Sequence, residues 1–168
     1  GMQSEILPQT DKDRVIIQIT DTHLMDKPDA EFVGINPEES FHAVMDDIQQ
    51  RYKNIDLILH TGDLAQAAFP ETYARYLEYM QRFGVDFYQI PGNHDNLNLF
   101  PFHSPEPIPA VIELDQWRII LLNSAVGGRT DGNIQTEQLA HLKRLLEQLR
   151  DKFILIACHH NPFDMHSK

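Results

Sequence analysis

The order of apolar and amphipathic segments in this chain of 168 residues predicts a layered α/β fold. Short β-branched apolar runs alternate with segments of helical periodicity. Polar residues rich in Asp, His and Gly follow four of the predicted strands. Since the carboxyl ends of strands in such folds converge on one edge, we expect these polar residues to meet there. The length allows one domain.

Six strands are predicted from runs of apolar and β-branched residues. They lie at residues 14–20, 55–60, 85–90, 111–114, 117–122 and 153–157. The fourth and fifth of these are expected to form a hairpin around Asp115 and Gln116.

Three helices are predicted at residues 37–51, 70–83 and 136–150. Asn36 has the character of an N-cap, with Pro37 in the first turn behind it. Gly84 is expected to end the second helix in a left-handed conformation. Thr136 is expected to cap the third helix.

The charge balance excludes some classes of partner. The chain carries 25 acidic and 14 basic residues, a net charge of −11. This composition is unfavourable for a nucleic-acid surface, which needs a basic stripe. It is compatible with a small phosphate ester, because bound cations can reverse the local field.

The sequence shows no apolar run of membrane-spanning length and no secretory signal, so the cytoplasm is the expected location.

Potential metal ligands stand at four strand ends. They are Asp21 and His23, then Asp63, then Asn93, His94 and Asp95, and finally His159 and His160. Asp21 and His23 are two residues apart, so an extended backbone is expected to place both side chains on one face. Gly62 and Gly92 allow the backbone to approach a ligand closely. Carboxylate and imidazole together favour Mn, Fe or Zn over Mg or Ca, and Asp63 could bridge two such ions.

The ordered motifs resemble those of the calcineurin-like metallophosphoesterase superfamily. The pattern of that family is D-x-H, G-D, G-N-H-D and a His-bearing strand end, and residues 21–23, 62–63, 92–95 and 159 match it. The surrounding residues, ITDTHL, GDLAQ and PGNHD, are most similar to bacterial class III 3′,5′-cyclic AMP phosphodiesterases. The resemblance implies a layered αββα sandwich, of which this chain is expected to form the N-terminal part.

The resemblance also implies roles for individual residues. Asp21, His23 and Asp63 would hold a first metal ion, and Asp63, Asn93 and His159 a second. His94 would polarise the phosphate or protonate the leaving oxygen, and Asp95 would orient His94. A metal-bridged hydroxide would then attack phosphorus in line. His159 is favoured over His160 as the ligand, His60 is expected to pack beside the site, and His103 is expected to be solvated.

One departure from the family pattern keeps a second hypothesis open. The family's later G-H-x-H segment, whose two histidines complete the two metal sites, does not occur in this sequence. The chain is therefore expected to be C-terminally truncated and to form a homodimer. The first hypothesis is a metal-dependent phosphodiesterase acting on 3′,5′-cyclic nucleotides. Within it, glycerophosphodiesters, phosphomonoesters and lipid headgroups stay open as alternative substrates. The alternative is a catalytically impaired fragment that binds metal or a partner without turnover.

Overall fold

The computed structural model describes residues 13–123 and 132–159, with side chains from residue 136 onward in the second range. Within these ranges the chain forms two sheets and three helices. The strands are β1 (Ile16–Ile19), β2 (Leu57–His60), β3 (Phe87–Gln89), β4 (Ala110–Leu114), β5 (Trp117–Leu121) and β6 (Phe153–Ala157). The helices are α1 (Pro37–Arg51), α2 (Pro70–Phe83) and α3 (Gly132–Gln148).

The first sheet is parallel and has the order β1-β2-β3. Ile17 pairs with Ile58 across β1 and β2, and Ile58 pairs with Phe87 across β2 and β3. Helices α1 and α2 make the two crossover connections, which parallel neighbours require. As a result, all three strands point their carboxyl ends toward the same edge.

The second sheet is mixed and has the order β4-β5-β6. The predicted hairpin joins β4 and β5 in antiparallel pairing, with Asp115 in its turn at a φ of 55°. Strand β6 then runs parallel to β5, with α3 between them in the chain. This topology directs the carboxyl ends of β5 and β6 the same way.

Strand β2 separates two apolar clusters because its successive side chains alternate between faces. Ile58 packs in a cluster with Phe41 of α1 and Tyr76 of α2. Leu57 and Leu59 instead pack in a cluster with residues of β4, β5 and β6. The layers are therefore helices, first sheet and second sheet, and the predicted α/β class is confirmed.

The expected start of the third helix is wrong. Helix α3 begins at Gly132, four residues before Thr136, which therefore lies inside the helix and cannot cap it. Glycine and asparagine are tolerated in a first turn, whose N–H groups lack helical partners, so Gly132 and Asn133 can begin the helix. Within the two described ranges, no helix is long and apolar enough to cross a membrane.

Candidate metal centre

The turns that follow β1 and β2 run side by side and bring the first three predicted ligands together. The N–H of Asp21 donates to the carbonyl of Gly62 over 2.9 Å, and the N–H of His23 donates to that of Asp63 over 3.1 Å. One ligand atom from each of Asp21, His23 and Asp63 then lies within 4.8 Å of the others. Three such atoms at this spacing could hold one ion.

All three of these residues adopt a left-handed backbone conformation. The φ angles are 58° at Asp21, 49° at His23 and 54° at Asp63. Asp and His tolerate this region better than most residues, yet it still costs of order 1 kcal/mol at each position. The expectation of an extended backbone at Asp21 and His23 is therefore wrong. Their side chains nevertheless meet, with 3.5 Å between Asp21 Oδ1 and His23 Nε2.

The imidazole of His23 is oriented by an amide from the turn after β2. Its Nδ1–H donates to Gln66 Oε1 over 3.0 Å. In the neutral ring, this bond leaves the lone pair on Nε2, the atom that faces Asp21. Fixing one ring nitrogen so that the other is directed at a cation is the usual arrangement of metal-binding histidines.

His159 repeats this arrangement from the second sheet. The buried ring donates its Nδ1–H to the carbonyl of Thr61 over 2.7 Å, and its Nε2 lies 3.7 Å from Asp63 Oδ2. The ring packs directly over Gly62, where a Cβ atom would overlap it. Gly62 also has a φ of 119°, so both the space and the backbone conformation require glycine at this position. The Asp63 carboxylate thus lies close both to the candidate ligand atoms of Asp21 and His23 and to Nε2 of His159.

A third turn, after β3, closes over Asp63. A Cβ atom on Gly92 would overlap the backbone nitrogen and carboxylate of Asp63, so this turn also needs glycine. The backbone N–H of His94 donates to Asp63 Oδ1 over 2.9 Å. The side chains of Asn93 and His94 are exposed, and the His94 ring lies edge-on to that of His23 at 5.5 Å between centroids. His94 therefore borders the candidate metal centre, and Asn93 precedes it in the same turn.

Asp95 joins the turns that carry the ligands. Its side chain is buried, with the residue 2% exposed, and its two carboxylate oxygens accept four hydrogen bonds. The donors are the backbone N–H groups of Leu64, Ala65 and Gly92 and the hydroxyl of Tyr73. Burial raises the pKa of Asp95, although these hydrogen bonds favour the ionised form. These contacts act on the backbone of the two turns, so any orientation of His94 by Asp95 is transmitted through the turn.

His60 packs beneath the turn after β2, as the sequence predicts. Its Nδ1 accepts the N–H of Gly62 over 3.1 Å, and its Nε2–H donates to Thr22 Oγ1 over 2.9 Å. The Thr22 hydroxyl in turn donates to the carbonyl of Leu64. Burial lowers the pKa of His60 to about 3, so the ring is neutral at physiological pH.

The donor set fits transition ions better than hard cations. The imidazole nitrogens of His23 and His159 lie near the carboxylates of Asp21 and Asp63, a combination suited to Mn, Fe or Zn. Without cations these carboxylates would repel a phosphate, whereas bound cations would attract it. The sequence named the candidate ligands but missed the groups that orient their imidazoles, the Gln66 amide and the Thr61 carbonyl. Gln66 was visible only as part of the GDLAQ motif, and His160 lies outside the described residues.

The fold and this site define a class of metal-dependent phosphoesterases. The sequence profile of calcineurin-like phosphoesterases matches residues 14–167, and the chain belongs to this family. Metal binding is implied by the family.

Curated relatives carry more specific names. The chain is 35% identical over 165 residues to the 3′,5′-cyclic adenosine monophosphate phosphodiesterase CpdA of Haemophilus influenzae, covering 95% of this chain and 60% of that protein. It is 35% identical over 161 residues to CpdA of Escherichia coli K12, covering 93% and 58%. It is 29% identical over 156 residues to a probable glycerophosphodiester phosphodiesterase GpdQ of Arcobacter nitrofigilis, covering 88% and 57%. The chain thus spans less than two thirds of the length of these relatives.

Proposed function

We propose that this chain binds two transition-metal ions around Asp63 and hydrolyses phosphodiesters, with 3′,5′-cyclic nucleotides as its substrates. One observation carries the proposal. His23 and His159 come from different sheets, yet each commits Nδ1 to an oxygen acceptor and keeps Nε2 within 3.7 Å of a carboxylate oxygen at the same centre. A purely structural histidine has no need for this repeated orientation.

The proposed ligands divide into two sets that share Asp63. Asp21 and His23 complete the first set, and Asn93 and His159 complete the second. The Asn93 side chain belongs to the turn held against Asp63 through the His94 N–H. When bound, two such ions supply a nucleophile at neutral pH and offset the charge of the phosphate.

His94 is the proposed catalytic residue of the chain. Its ring is exposed at the mouth of the site while its backbone N–H is fixed to Asp63, so the imidazole can reach a phosphate held by the ions. A protonated imidazole there would donate its proton to the leaving oxygen, and a neutral one would hydrogen-bond the phosphate through its N–H. Asp95 supports this position by fixing the turn from below.

The substrate class rests on the names of the relatives together with the ligand set. CpdA proteins are named as cyclic AMP phosphodiesterases, whereas the GpdQ relative is named as a glycerophosphodiester phosphodiesterase. Both names describe cleavage of a phosphodiester. Cyclic nucleotides are the preferred proposal because CpdA relatives are the more similar of these. Location in the cytoplasm remains a prediction of the sequence.

Turnover of bis(p-nitrophenyl) phosphate and cyclic AMP with added Mn²⁺ tests this proposal. We expect hydrolysis of both diesters, its loss in EDTA, and its recovery when Mn²⁺ is restored. His141→Ala, on α3, is a matched control and should retain the wild-type rate. Stoichiometric Mn²⁺ binding without turnover of either diester would instead support the impaired fragment. Failure to bind Mn²⁺ would contradict the proposed function and leave only a fragment that binds a partner without metal.

A further inference from the structure

A tight turn of apolar residues stands beside the candidate metal centre. The N–H of Phe32 donates to the carbonyl of Ile35 over 2.8 Å, and the N–H of Ile35 donates to that of Phe32 over 3.1 Å. The two residues between them, Val33 and Gly34, have φ angles of 53° and 77°. Two central residues at positive φ are typical of a type I′ turn.

Valine is the wrong residue for this turn on local grounds. A type I′ turn favours Asn or Asp followed by Gly, because a β-branched side chain strains a left-handed backbone. Val33 is also 81% exposed and Ile35 is 59% exposed, so their side chains contribute little to the core. Strain and apolar exposure at one residue, without a gain in packing, are features of positions retained for function.

The position of the turn indicates what that function is. The ring of Phe32 stacks on the imidazole of His23, with 5.7 Å between centroids and 27° between planes. The ring of His94 contacts the same imidazole edge-on. The apolar turn and the proposed catalytic histidine therefore both border the imidazole that would bind the first ion.

We propose that the turn formed by residues 32–35 contacts the organic substituent of the phosphate ester and favours substituents with a flat, weakly polar face, such as a nucleobase. This inference rests on the proposed function, because it requires the phosphate to bind at the metal centre. A phosphate held beside His23 projects its ester groups only a few bonds from phosphorus. An apolar wall one ring away from His23 is within reach of such a group. Burial of the Val33 and Ile35 side chains against this substituent would remove apolar surface from water and thereby favour binding.

Binding of two phosphate monoesters isolates this contact. Adenosine 5′-monophosphate and ribose 5-phosphate share the sugar and the phosphate, and they differ in the nucleobase. Titration calorimetry on the Mn²⁺-loaded protein would measure both affinities in the wild type, Val33→Asn, Ile35→Ser and a control, Val111→Ser. Val111 is an exposed apolar residue on β4 of the second sheet.

The wild type is expected to bind adenosine 5′-monophosphate about tenfold more tightly than ribose 5-phosphate. Val33→Asn and Ile35→Ser should each reduce this ratio of affinities severalfold by weakening the binding of adenosine 5′-monophosphate, with the binding of ribose 5-phosphate unchanged. Val111→Ser should preserve the ratio. Val33→Asn should also raise the urea midpoint of unfolding, because Asn suits the backbone of the turn.

Two other outcomes would overturn the inference, and they are distinguishable. A wild type that binds both compounds, with ratios unchanged in Val33→Asn and Ile35→Ser, would contradict the role of the turn and leave the phosphoesterase proposal intact. A wild type that binds neither compound in Mn²⁺ would contradict the proposed function and the inference that rests on it.

Discussion

The carboxylate of Asp95 offers a direct test of how the ligand-bearing turns are held together. In Asp95→Asn, one of the two oxygens becomes an NH₂ group, whichever way the amide is oriented. The NH₂ group then faces either the N–H groups of Leu64 and Gly92, or the N–H of Ala65 and the Tyr73 hydroxyl, and in both cases two donors lose their carboxylate acceptor. A hydrogen bond to a charged group contributes about 1.5–3 kcal/mol, and a buried donor without a partner costs about 1–3 kcal/mol.

The expected loss of unfolding free energy is about 2–4 kcal/mol. Two lost hydrogen bonds to the carboxylate would alone cost about 3–6 kcal/mol. The net loss is smaller because burying a neutral amide costs less free energy than burying a carboxylate, whose burial raises the pKa of Asp95. Tyr73→Phe removes the hydroxyl that donates to Asp95 and accepts from Asn96, so we expect a smaller loss of about 1–2 kcal/mol.

Urea denaturation in EDTA measures these losses without any contribution from bound metal. Asp29→Asn makes the same chemical change at an exposed position and should alter the unfolding free energy by less than about 0.5 kcal/mol. If Asp95→Asn were no more destabilising than Asp29→Asn, the four contacts would not be holding the turns, and the reasoning would be refuted.

Three further predictions concern pH, catalysis and assembly. The pKa of His60 is about 3 in the folded chain, against about 6.5 when unfolded. The neutral ring therefore contributes fully to the free energy of unfolding above pH 6.5, and this contribution is lost as the pH falls toward 3. In EDTA, His60→Gln should therefore have a lower free energy of unfolding than wild type at pH 7. Between pH 6 and 4 this free energy should fall by about 1.4 kcal/mol less per pH unit in the variant than in wild type. Parallel plots of unfolding free energy against pH would argue against a neutral buried ring. His94→Ala should lower diester turnover about 10²–10⁴-fold with little loss of bound metal, and unchanged turnover would remove its catalytic role. Strand β6 exposes Phe153 and Ile156 at the edge of its sheet, so light scattering should show self-association, and a monomer at high concentration would contradict it.

Much of the site follows from sequence because parallel strands impose a common edge. Asp21 and Asp63 follow parallel neighbours of one sheet, so that rule predicts that they converge, and their ligand atoms do lie close together. His159 follows β6 of the second sheet, and its ring also lies close to Asp63. The capping residues of α1 and α2 also agree with the structure, since Asn36 accepts the Glu39 N–H and Gly84 is left-handed. These features depend on local chemistry and on strand direction alone.

Other features depend on contacts between distant parts of the chain. The positive φ angles of Asp21, His23 and Asp63 occur where the turns after β1 and β2 hydrogen-bond to each other, a contact that the sequence of neither turn reveals. The acceptors for the two histidines, Gln66 and the Thr61 carbonyl, are set by the same approach. His103 is exposed, as the sequence predicts, but its ring is not free in solvent. Its ring accepts the N–H of Gln89, and burial lowers its pKa.

The metal content of matched variants shows whether Asp63 is shared by two metal ions. Titration calorimetry with Mn²⁺, checked by elemental analysis, should give two ions for the wild type and for Asp29→Ala, an exposed control. Asn93→Ala should keep the first ion and weaken the second, whereas Asp63→Ala should lose both. Retention of two ions by Asp63→Ala with wild-type affinity would contradict the shared centre.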